Sequence, residues 1–150
     1  MSIFQPDVLA EQHIVISGGV GAIGLGVIKG LVAHGARVTV NDLVSADIAT
    51  ERLSNAGVDP GSVRYIQADM ADEEAVINLV ETARQQQGPI NTAICHAAVA
   101  ISDDLIDFSI ENWDRTMDAN VKSAFLLART VARNMIAEDR AGHLVFTTSW

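Results

Sequence analysis

The sequence contains little cysteine, no run of basic residues and no long apolar segment, and each of these excludes a class of protein. A single cysteine, Cys95, rules out an internal disulfide and a zinc cluster, as is typical of a reducing cytoplasm. Ten lysines and arginines against nineteen acidic residues give a net charge of −9, so no basic surface is expected for binding nucleic acid. We therefore expect no metal and no nucleic acid as partners.

No segment suits a membrane or an export signal. The longest uncharged apolar stretch runs from Ile14 to Ile28, but it contains five glycines and is followed by Lys29. The N-terminus carries acidic residues and lacks the basic region that begins a secretory signal. With 49% hydrophobic and 19% charged residues over 150 positions, the composition is typical of one globular domain, spanning residues 1–150. We expect a cytoplasmic protein without membrane contact.

Short apolar runs alternate along the chain with longer segments of helical periodicity. The apolar runs predict five strands, at His13–Ile16, Arg37–Asn41, Val63–Gln67, Ile90–Cys95 and His143–Thr148. The segments between them predict helices over Ala22–His34, Ala46–Ala56, Asp72–Gln87 and from Ser109 to about Ala137. Strands that alternate with long helices form βαβ units, so the expected fold class is α/β, a doubly wound parallel sheet of the Rossmann type.

A glycine-rich loop separates the first predicted strand from the first predicted helix. Its sequence is Ser17-Gly18-Gly19-Val20-Gly21-Ala22-Ile23-Gly24. A dinucleotide-binding fold places the pyrophosphate at this point, on the N–H groups of a helix N-terminus. Gly18 suits the tight turn, and Gly24 lets the helix approach the strand. A purely structural turn is the alternative, and the order strand, loop, helix favours the cofactor site.

Asp42 follows the second predicted strand, eighteen residues after Gly24. That spacing is near the offset of an acid that accepts hydrogen bonds from the adenosine ribose. A carboxylate there repels a 2′-phosphate, and neither Arg nor Lys lies in the glycine loop to offset the repulsion. NAD is therefore expected as the cofactor rather than NADP. The alternative is that Asn41 and Asp42 only form a turn.

Four motifs, in order, resemble those of the short-chain dehydrogenase/reductase family, in its common branch. The glycine loop is similar to Thr-Gly-x-x-x-Gly-x-Gly, with Ser17 in place of Thr and Ala22 in place of the middle Gly. Asp69, after the third strand, matches the acid that the family places near the adenine amino group. The segment Asp118–Phe125 resembles the family's fifth helix, and Gly142–Ser149 resembles Gly-x-Ile-Val-Asn-Ile-Ser-Ser. The resemblance covers the chain from about residue 12 to its end.

The resemblance implies an oxidoreductase that passes a hydride between a nicotinamide cofactor and an alcohol, polyol or ketone. It implies that Ser149 hydrogen-bonds the substrate oxygen and that Asn120 holds a water on a proton path, which makes both residues catalytic. It also implies a homotetramer built partly through the long helix. The resemblance, the glycine loop and Asp42 together predict the cofactor-binding residues. These are Ser17, Gly18, Gly21, Ala22, Ile23, Gly24, Asp42, Leu43, Asp69, Met70, His96, Ala97 and Ala98.

The sequence departs from the family pattern after the fourth strand. The family's Asn-Asn-Ala-Gly is here Cys95-His96-Ala97-Ala98, in which the small alanines leave room for the nicotinamide ribose. His96 either contacts the cofactor or the strand above it, or only packs at a strand end. Cys95 is expected in the core, because nothing in the sequence indicates a partner that would lower its pKa.

A second departure is an absence. The family's general acid is the Tyr of a Tyr-x-x-x-Lys motif beyond the serine, whereas this chain has only Tyr65, Lys29 and Lys122 of these residue types. We expect these 150 residues to be the cofactor-binding portion of a longer enzyme, truncated just after Ser149, with the C-terminal strands and helices missing, and to be inactive alone. Trp150 and the residues after Ala98 are expected to line the substrate pocket.

Two other functions stay open. The extended branch of the family, which includes nucleotide-sugar epimerases and dehydratases, has Thr-Gly-x-x-Gly-x-x-Gly, which fits Gly18, Gly21 and Gly24. The Asn120 helix and the Thr148-Ser149 pair favour the common branch instead. The other possibility is a redox-inactive module that binds NAD without turnover.

The absence of the C-terminal strands predicts two unpartnered surfaces. The fifth strand becomes a sheet edge with unpaired backbone groups. The apolar face of the long helix also loses a neighbour, and the residues assigned to that face are Val121, Phe125, Leu126, Val131 and Met135. We expect the isolated 150-residue chain to aggregate or to need a partner.

Overall fold

Five strands form a single parallel sheet in a computed structural model that describes residue 5 and residues 7–149. The strands are β1 His13–Ile16, β2 Arg37–Asp42, β3 Val63–Gln67, β4 Thr92–Cys95 and β5 His143–Phe146. Their order across the sheet is β3-β2-β1-β4-β5, and each neighbouring pair is parallel. The chain moves outward from β1 to β3 and then crosses back to β4, so the predicted doubly wound sheet is confirmed.

Helices connect the strands and cover both faces of the sheet. They are α1 Ala22–Ala33, α2 Ala46–Asn55, α3 Glu73–Gln87, α4 Ile110–Met117 and α5 Ser123–Ala137, and a short 3₁₀ turn spans Pro60–Ser62. Side chains cap three of them, because Ser45, Asp72 and Ser109 accept hydrogen bonds from N–H groups in the first turns of α2, α3 and α4. The predicted ends of the first three helices agree to within one residue, whereas β4 and β5 are each two residues shorter than predicted.

The long helix predicted from Ser109 to Ala137 is interrupted. A π-helical turn over Asp118–Lys122 separates α4 from α5 without breaking the helical path. A π turn widens one turn by a residue, and such turns are frequent at functional sites. Asn120 lies at the centre of this one.

The sheet separates two apolar layers. On one face Ile28 of α1 and Leu53 of α2 pack against β1 and β2 and are 0% and 1% exposed. On the other face Val80 of α3 and Leu127 of α5 are 0% exposed and pack with Val15. Successive strand residues point to opposite faces, so both layers draw on the same strands. Each fully buried side chain of this size contributes roughly 1.5–3 kcal/mol to folding.

Only part of the apolar face predicted for the long helix is exposed, at the π turn and the start of α5. Val121 and Phe125 are 53% and 56% exposed, as expected for a face without a neighbour. Leu126, Val131 and Met135, which were assigned to the same face, are instead buried in the layer that α5 shares with α3. That assignment is wrong for these three residues, because the helical period turns them towards the sheet. β5 is an edge strand, as predicted.

Candidate functional site

A cleft of about 480 Å³ lies at the carboxyl ends of the central strands. In an open α/β sheet this is the edge at which ligands bind, next to the point where the strand order reverses. Here the reversal lies between β1 and β4. All but two of the predicted cofactor-binding residues line the cleft, namely Gly18, Gly21, Ala22, Ile23, Asp42, Leu43, Asp69, Met70, His96, Ala97 and Ala98.

The two exceptions, Ser17 and Gly24, lie behind the cleft wall. Ser17 is 2% exposed, and its hydroxyl oxygen accepts hydrogen bonds from the N–H groups of His96 and Ala97 at 3.0 and 3.1 Å. A Cβ on Gly24 would lie 2.4 Å from the carbonyl oxygen of Gly19. Both residues therefore hold the loop in place and lie off the cleft wall, and their contact with a cofactor stays a prediction.

Gly18 is required where the glycine loop meets the segment after β4. Its φ of +65° is a conformation that residues with a Cβ rarely adopt, and a Cβ there would lie 2.7 Å from the Cα of Ala97. This close approach brings the two halves of the sheet together along one wall of the cleft.

The N-terminus of α1 faces the cleft and is free to bind an anion. Gly21, Ala22 and Ile23 line the cleft, and α1 has neither a side-chain cap nor an acidic residue in its first turn. The first N–H groups of a helix lack intrahelical partners and carry a partial positive charge. A diphosphate fits this end of α1, whereas side-chain caps occupy one or two of the first N–H donors of α2, α3 and α4.

The carboxylate of Asp42 joins the end of β2 to the glycine loop. One oxygen accepts from the N–H of Leu43 at 2.8 Å, and the other accepts from the N–H of Val20 at 3.3 Å. Next to it, the hydroxyl of Tyr65 donates to the carbonyl oxygen of Val44 at 2.5 Å. Burial and the negative charge of Asp42 raise the pKa of Tyr65 to about 12, so this tyrosine stays protonated at neutral pH.

Asp69 lies on the cleft wall, in the turn that follows β3. Its carboxylate accepts from the N–H of Ala71 at 2.8 Å, which holds the turn that follows the strand. Met70 is buried beneath this turn.

Sequence reasoning missed seven residues of the wall, namely Asn41, Arg52, Ala68, Ala71, Val99, Ala119 and Ser123.

Some of the missed residues are adjacent in sequence to residues that were predicted. Asn41 adjoins Asp42, and two of the alanines flank the Asp69 turn, so their proximity to predicted residues would have found them. Arg52 on α2 and Ser123 on α5 had no such signal. They reach the cleft only because whole helices are packed against it.

His96 contacts the segment that follows the neighbouring strand β5. Its Nδ1 lies 2.9 Å from the hydroxyl oxygen of Thr147, just beyond β5, and its ring also lines the cleft. The preceding residue, Cys95, is buried with its sulfur 3.5 Å from the carbonyl oxygen of Ala124. Burial raises the pKa of the Cys95 thiol to about 11, so it stays protonated and unreactive, in agreement with a core position.

The two predicted catalytic residues lie differently with respect to the cleft. Asn120 is outside the wall, but its side chain makes two hydrogen bonds to Val99, which lines it. Ser149 follows β5 in an exposed position, and the structure does not bring it onto the wall. Trp150 lies outside the described residues.

Neither a membrane-spanning helix nor a metal-binding cluster occurs among residue 5 and residues 7–149. In that part of the chain no helix is long and apolar enough to cross a lipid bilayer. The same residues contain no group of three histidine, cysteine, aspartate or glutamate side chains arranged to hold a metal ion.

Comparisons with known proteins agree with this geometry. Residues 12–150 match the family model described as short chain dehydrogenase. The chain is 32% identical over 139 residues to gluconate 5-dehydrogenase of Gluconobacter oxydans (strain 621H), covering 90% of this chain and 53% of that protein. It is 29% identical over 141 residues to human L-xylulose reductase, covering 94% and 54%. The chain thus spans about half the length of the curated relatives it matches.

Solved structures resemble the fold closely. A citronellol catabolism dehydrogenase of Pseudomonas aeruginosa PAO1 superposes with a TM-score of 0.80 at 26% identity, over 97% of this chain and 59% of that one. A short-chain type dehydrogenase/reductase from Mycobacterium marinum gives a TM-score of 0.85 over 99% and 60%, at 24% identity, and supports the fold alone.

Proposed function

Because this chain belongs to the short-chain dehydrogenase family, we propose that its protein is an NAD-dependent oxidoreductase and that these residues are its cofactor-binding portion. The proposed reaction moves a hydride between the nicotinamide and an alcohol, polyol or ketone. The observation that carries the proposal is the cleft, in which the uncapped N-terminus of α1 and the carboxylate of Asp42 face the same space.

The cofactor would lie along the cleft, from the end of β3 to the end of β4. The N–H groups at Ala22 and Ile23 hold the diphosphate, and Asp42 accepts hydrogen bonds from the adenosine ribose hydroxyls. Asp69, which lines the cleft after β3, would lie at the adenine, and the small side chains of Ala97 and Ala98 would leave room for the nicotinamide ribose. When bound, the nicotinamide supplies or accepts the hydride. The negative charge of Asp42 supports NAD over NADP.

On the substrate side of the cleft, residues of this chain would position the substrate and a water molecule. Ser149 would hydrogen-bond the substrate oxygen, and Asn120 holds Val99 at the wall and would hold a water for proton transfer. The family's Tyr and Lys would supply the general acid, and neither falls within these residues. We therefore propose that the 150 residues alone do not turn over substrate.

Named relatives support a polyhydroxylated substrate. They include gluconate 5-dehydrogenase, 2-dehydro-3-deoxy-D-gluconate 5-dehydrogenase and L-xylulose reductase. We propose a sugar acid or polyol oxidised at a secondary alcohol, or the matching ketone reduced. The proposed location is the cytoplasm, which the single reduced cysteine supports, and the proposed assembly is a homotetramer. The exposed apolar side chains of α4, Ile110, Trp113 and Met117, support such an assembly.

The test is cofactor binding and turnover by the full-length protein. Calorimetric titration should show binding of NAD+, and NADH absorbance should rise with at least one polyol or sugar acid. Asp42→Ala should weaken NAD+ binding by about tenfold, through loss of a charge-assisted hydrogen bond to ribose. Asp47→Ala, on the exposed side of α2, removes the same charge and should leave binding unchanged.

The outcomes separate two functions. NAD+ binding with turnover supports the dehydrogenase. NAD+ binding without turnover of any tested alcohol or ketone would support the other candidate, a redox-inactive nucleotide-binding module. No binding of NAD+ or NADP+ would contradict both.

A further inference from the structure

The cleft has two halves, one on each side of the N-terminus of α1. In the order β3-β2-β1-β4-β5, β2 and β3 lie on one side of β1, and β4 and β5 lie on the other. Asp42 and Asp69 line the first half, and His96, which follows β4, lines the second. The proposed function puts the diphosphate at α1 and the adenosine at Asp42, so the nicotinamide would occupy the second half, here called the nicotinamide half.

His96 is held at the wall of the nicotinamide half in a way that tolerates a proton on its ring. Nδ1 lies 2.9 Å from the hydroxyl oxygen of Thr147, and the backbone N–H donates to the hydroxyl oxygen of Ser17 at 3.0 Å. A hydroxyl accepts as well as donates, so the contact with Thr147 persists when Nδ1 carries hydrogen. Nε2 makes no hydrogen bond among residues 7–149, and the side chain is only half-buried. Neutral and protonated imidazole therefore fit the same position.

No carboxylate on the described wall of the nicotinamide half would neutralise a charge on His96. Three charged side chains share the cleft with it, and all belong to the half built by β2, α2 and β3, namely Asp42, Arg52 and Asp69. Histidine is the side chain that ordinarily gains its charge between about pH 8 and pH 5. Its protonation would therefore place an unpaired positive charge in this half alone.

The elements that surround His96 add no unpaired charge to the wall. Neither the glycine loop nor residues 146–149 contain an acidic or basic side chain. Burial raises the pKa of the Cys95 thiol to about 11, which keeps it neutral, and in the π turn Lys122 pairs with Asp118 at 3.6 Å. The acidic residues of the loop after Val99 are exposed and lie off the cleft wall, namely Asp103, Asp104 and Asp107.

We propose that His96 makes the cleft discriminate between oxidised and reduced cofactor according to pH. The inference rests on the proposed function, which places the nicotinamide beside His96. The nicotinamide ring is positively charged only in its oxidised form, so a protonated imidazole repels NAD+ and leaves NADH unaffected. The family's Asn at this position carries no charge, so the property belongs to this chain's own histidine.

The consequence is a proton linked to the redox state of the bound cofactor. NAD+ binding displaces a proton from His96, whereas NADH binding does not, so acidification weakens NAD+ relative to NADH. Acid therefore favours the complex that reduces a ketone, a reaction that consumes a proton, and base favours the complex that oxidises an alcohol.

The first experiment is calorimetric titration of the full-length protein with NAD+, NADH and ADP-ribose at pH 8 and pH 6. From pH 8 to pH 6 the affinity for NAD+ should fall about threefold or more relative to NADH, through repulsion of two unit charges. ADP-ribose, which lacks the nicotinamide, should behave as NADH does. His96→Gln keeps a polar side chain without the charge and should give a ratio independent of pH. His143→Gln, at the exposed first residue of β5, is the matched control and should keep the wild-type ratio.

The second experiment uses the wild type alone and counts protons. NAD+ and NADH are each titrated at pH 6.5 in two buffers of different ionisation enthalpy, which gives the number of protons released on binding. NAD+ should release a fraction of one proton, and NADH should release none. This measurement does not depend on how well the His96 variant folds.

A pH-dependent ratio that persists in His143→Gln and disappears in His96→Gln supports the proposal. A ratio that is independent of pH in the wild type, or equal proton release with NAD+ and NADH, would overturn it and leave the proposed function intact. If His96→Gln weakens all three ligands equally and keeps the pH dependence, His96 only holds the segment after β4, and the proposal is overturned. A wild type that binds none of the three ligands would contradict the proposed function and this inference with it.

Discussion

The side chain of Asn120 holds both backbone hydrogen-bonding groups of Val99. Its Oδ1 accepts from the N–H of Val99 at 2.7 Å, and its Nδ2 donates to the carbonyl oxygen of Val99 at 2.9 Å. Asn120 lies in the π-helical turn between α4 and α5, and Val99 lies on the cleft wall. The long helical segment is thereby tied to the loop after β4, twenty-one residues away in sequence.

Removing this amide should loosen the cleft wall. We expect Asn120→Ala to lower the free energy of unfolding by about 1 kcal/mol, because the two lost hydrogen bonds are partly replaced by water at this exposed site. Urea denaturation of the full-length protein measures the change. Asn112→Ala, on α4, removes an amide that makes no side-chain hydrogen bond among the described residues and should be nearly neutral. Equal effects of the two substitutions would show that the contact with Val99 is unimportant.

Of three glycine-to-alanine substitutions, two should lower the free energy of unfolding and one should raise it. Gly18→Ala and Gly24→Ala should each destabilise the fold by more than about 1 kcal/mol, because the added Cβ would lie 2.7 Å from the Cα of Ala97 or 2.4 Å from the carbonyl oxygen of Gly19. Gly26→Ala, also in α1, meets no atom within 4 Å and should stabilise it by roughly 0.5–1 kcal/mol. Thermal and urea unfolding measure all three. A destabilising Gly26→Ala would contradict the prediction.

His13 should make the fold less stable in acid. The ring is 0% exposed, with Nδ1 2.8 Å from the carbonyl oxygen of Gly88 and Nε2 2.9 Å from the hydroxyl oxygen of Thr39. Burial lowers the pKa of His13 from 6.5, although the hydrogen bond to Gly88 opposes this. Because the unfolded imidazole binds a proton more readily, the stabilisation is full above pH 6.5 and is lost as the pH falls through the folded pKa.

The measurement for His13 is the free energy of unfolding between pH 8 and pH 5 by urea titration. His13→Gln should be less stable at pH 8 and should show a smaller decline on acidification. His143→Gln replaces an exposed histidine on β5 and should keep the wild-type decline. An identical decline in His13→Gln and the wild type would rule out His13 as its source.

Residues 1–150 expressed alone should self-associate. All four residues of β5 are exposed at the sheet edge, and Leu144 and Phe146 line an apolar groove with Phe125 of α5. Such an edge offers unpaired N–H and C=O groups as well as apolar surface. Sedimentation velocity should show oligomers, and Phe146→Lys should reduce them more than Leu105→Lys, at an exposed loop position. A monomer with a sharp cooperative melt would contradict this.

Local patterns in the sequence were sufficient for the order of the elements and for most of the cleft. The apolar runs predicted all five strands, because strand formation follows a local run of apolar and β-branched residues. The glycine loop and Asp42 were found from spacing, since both are tied to the ends of β1 and β2, which the pattern located. Asp69 and the segment from His96 to Ala98 were found from the family resemblance, because each follows a strand whose end was already fixed.

Only the tertiary structure decided which side chains from distant elements meet at that edge. Ser17 binds the backbone of His96 and Ala97, because β1 and β4 pair across the sheet. Arg52 reaches Val20 because α2 packs against the same face as α1. These contacts depend on how helices cross the sheet, and no short-range periodicity or spacing in the chain encodes that packing.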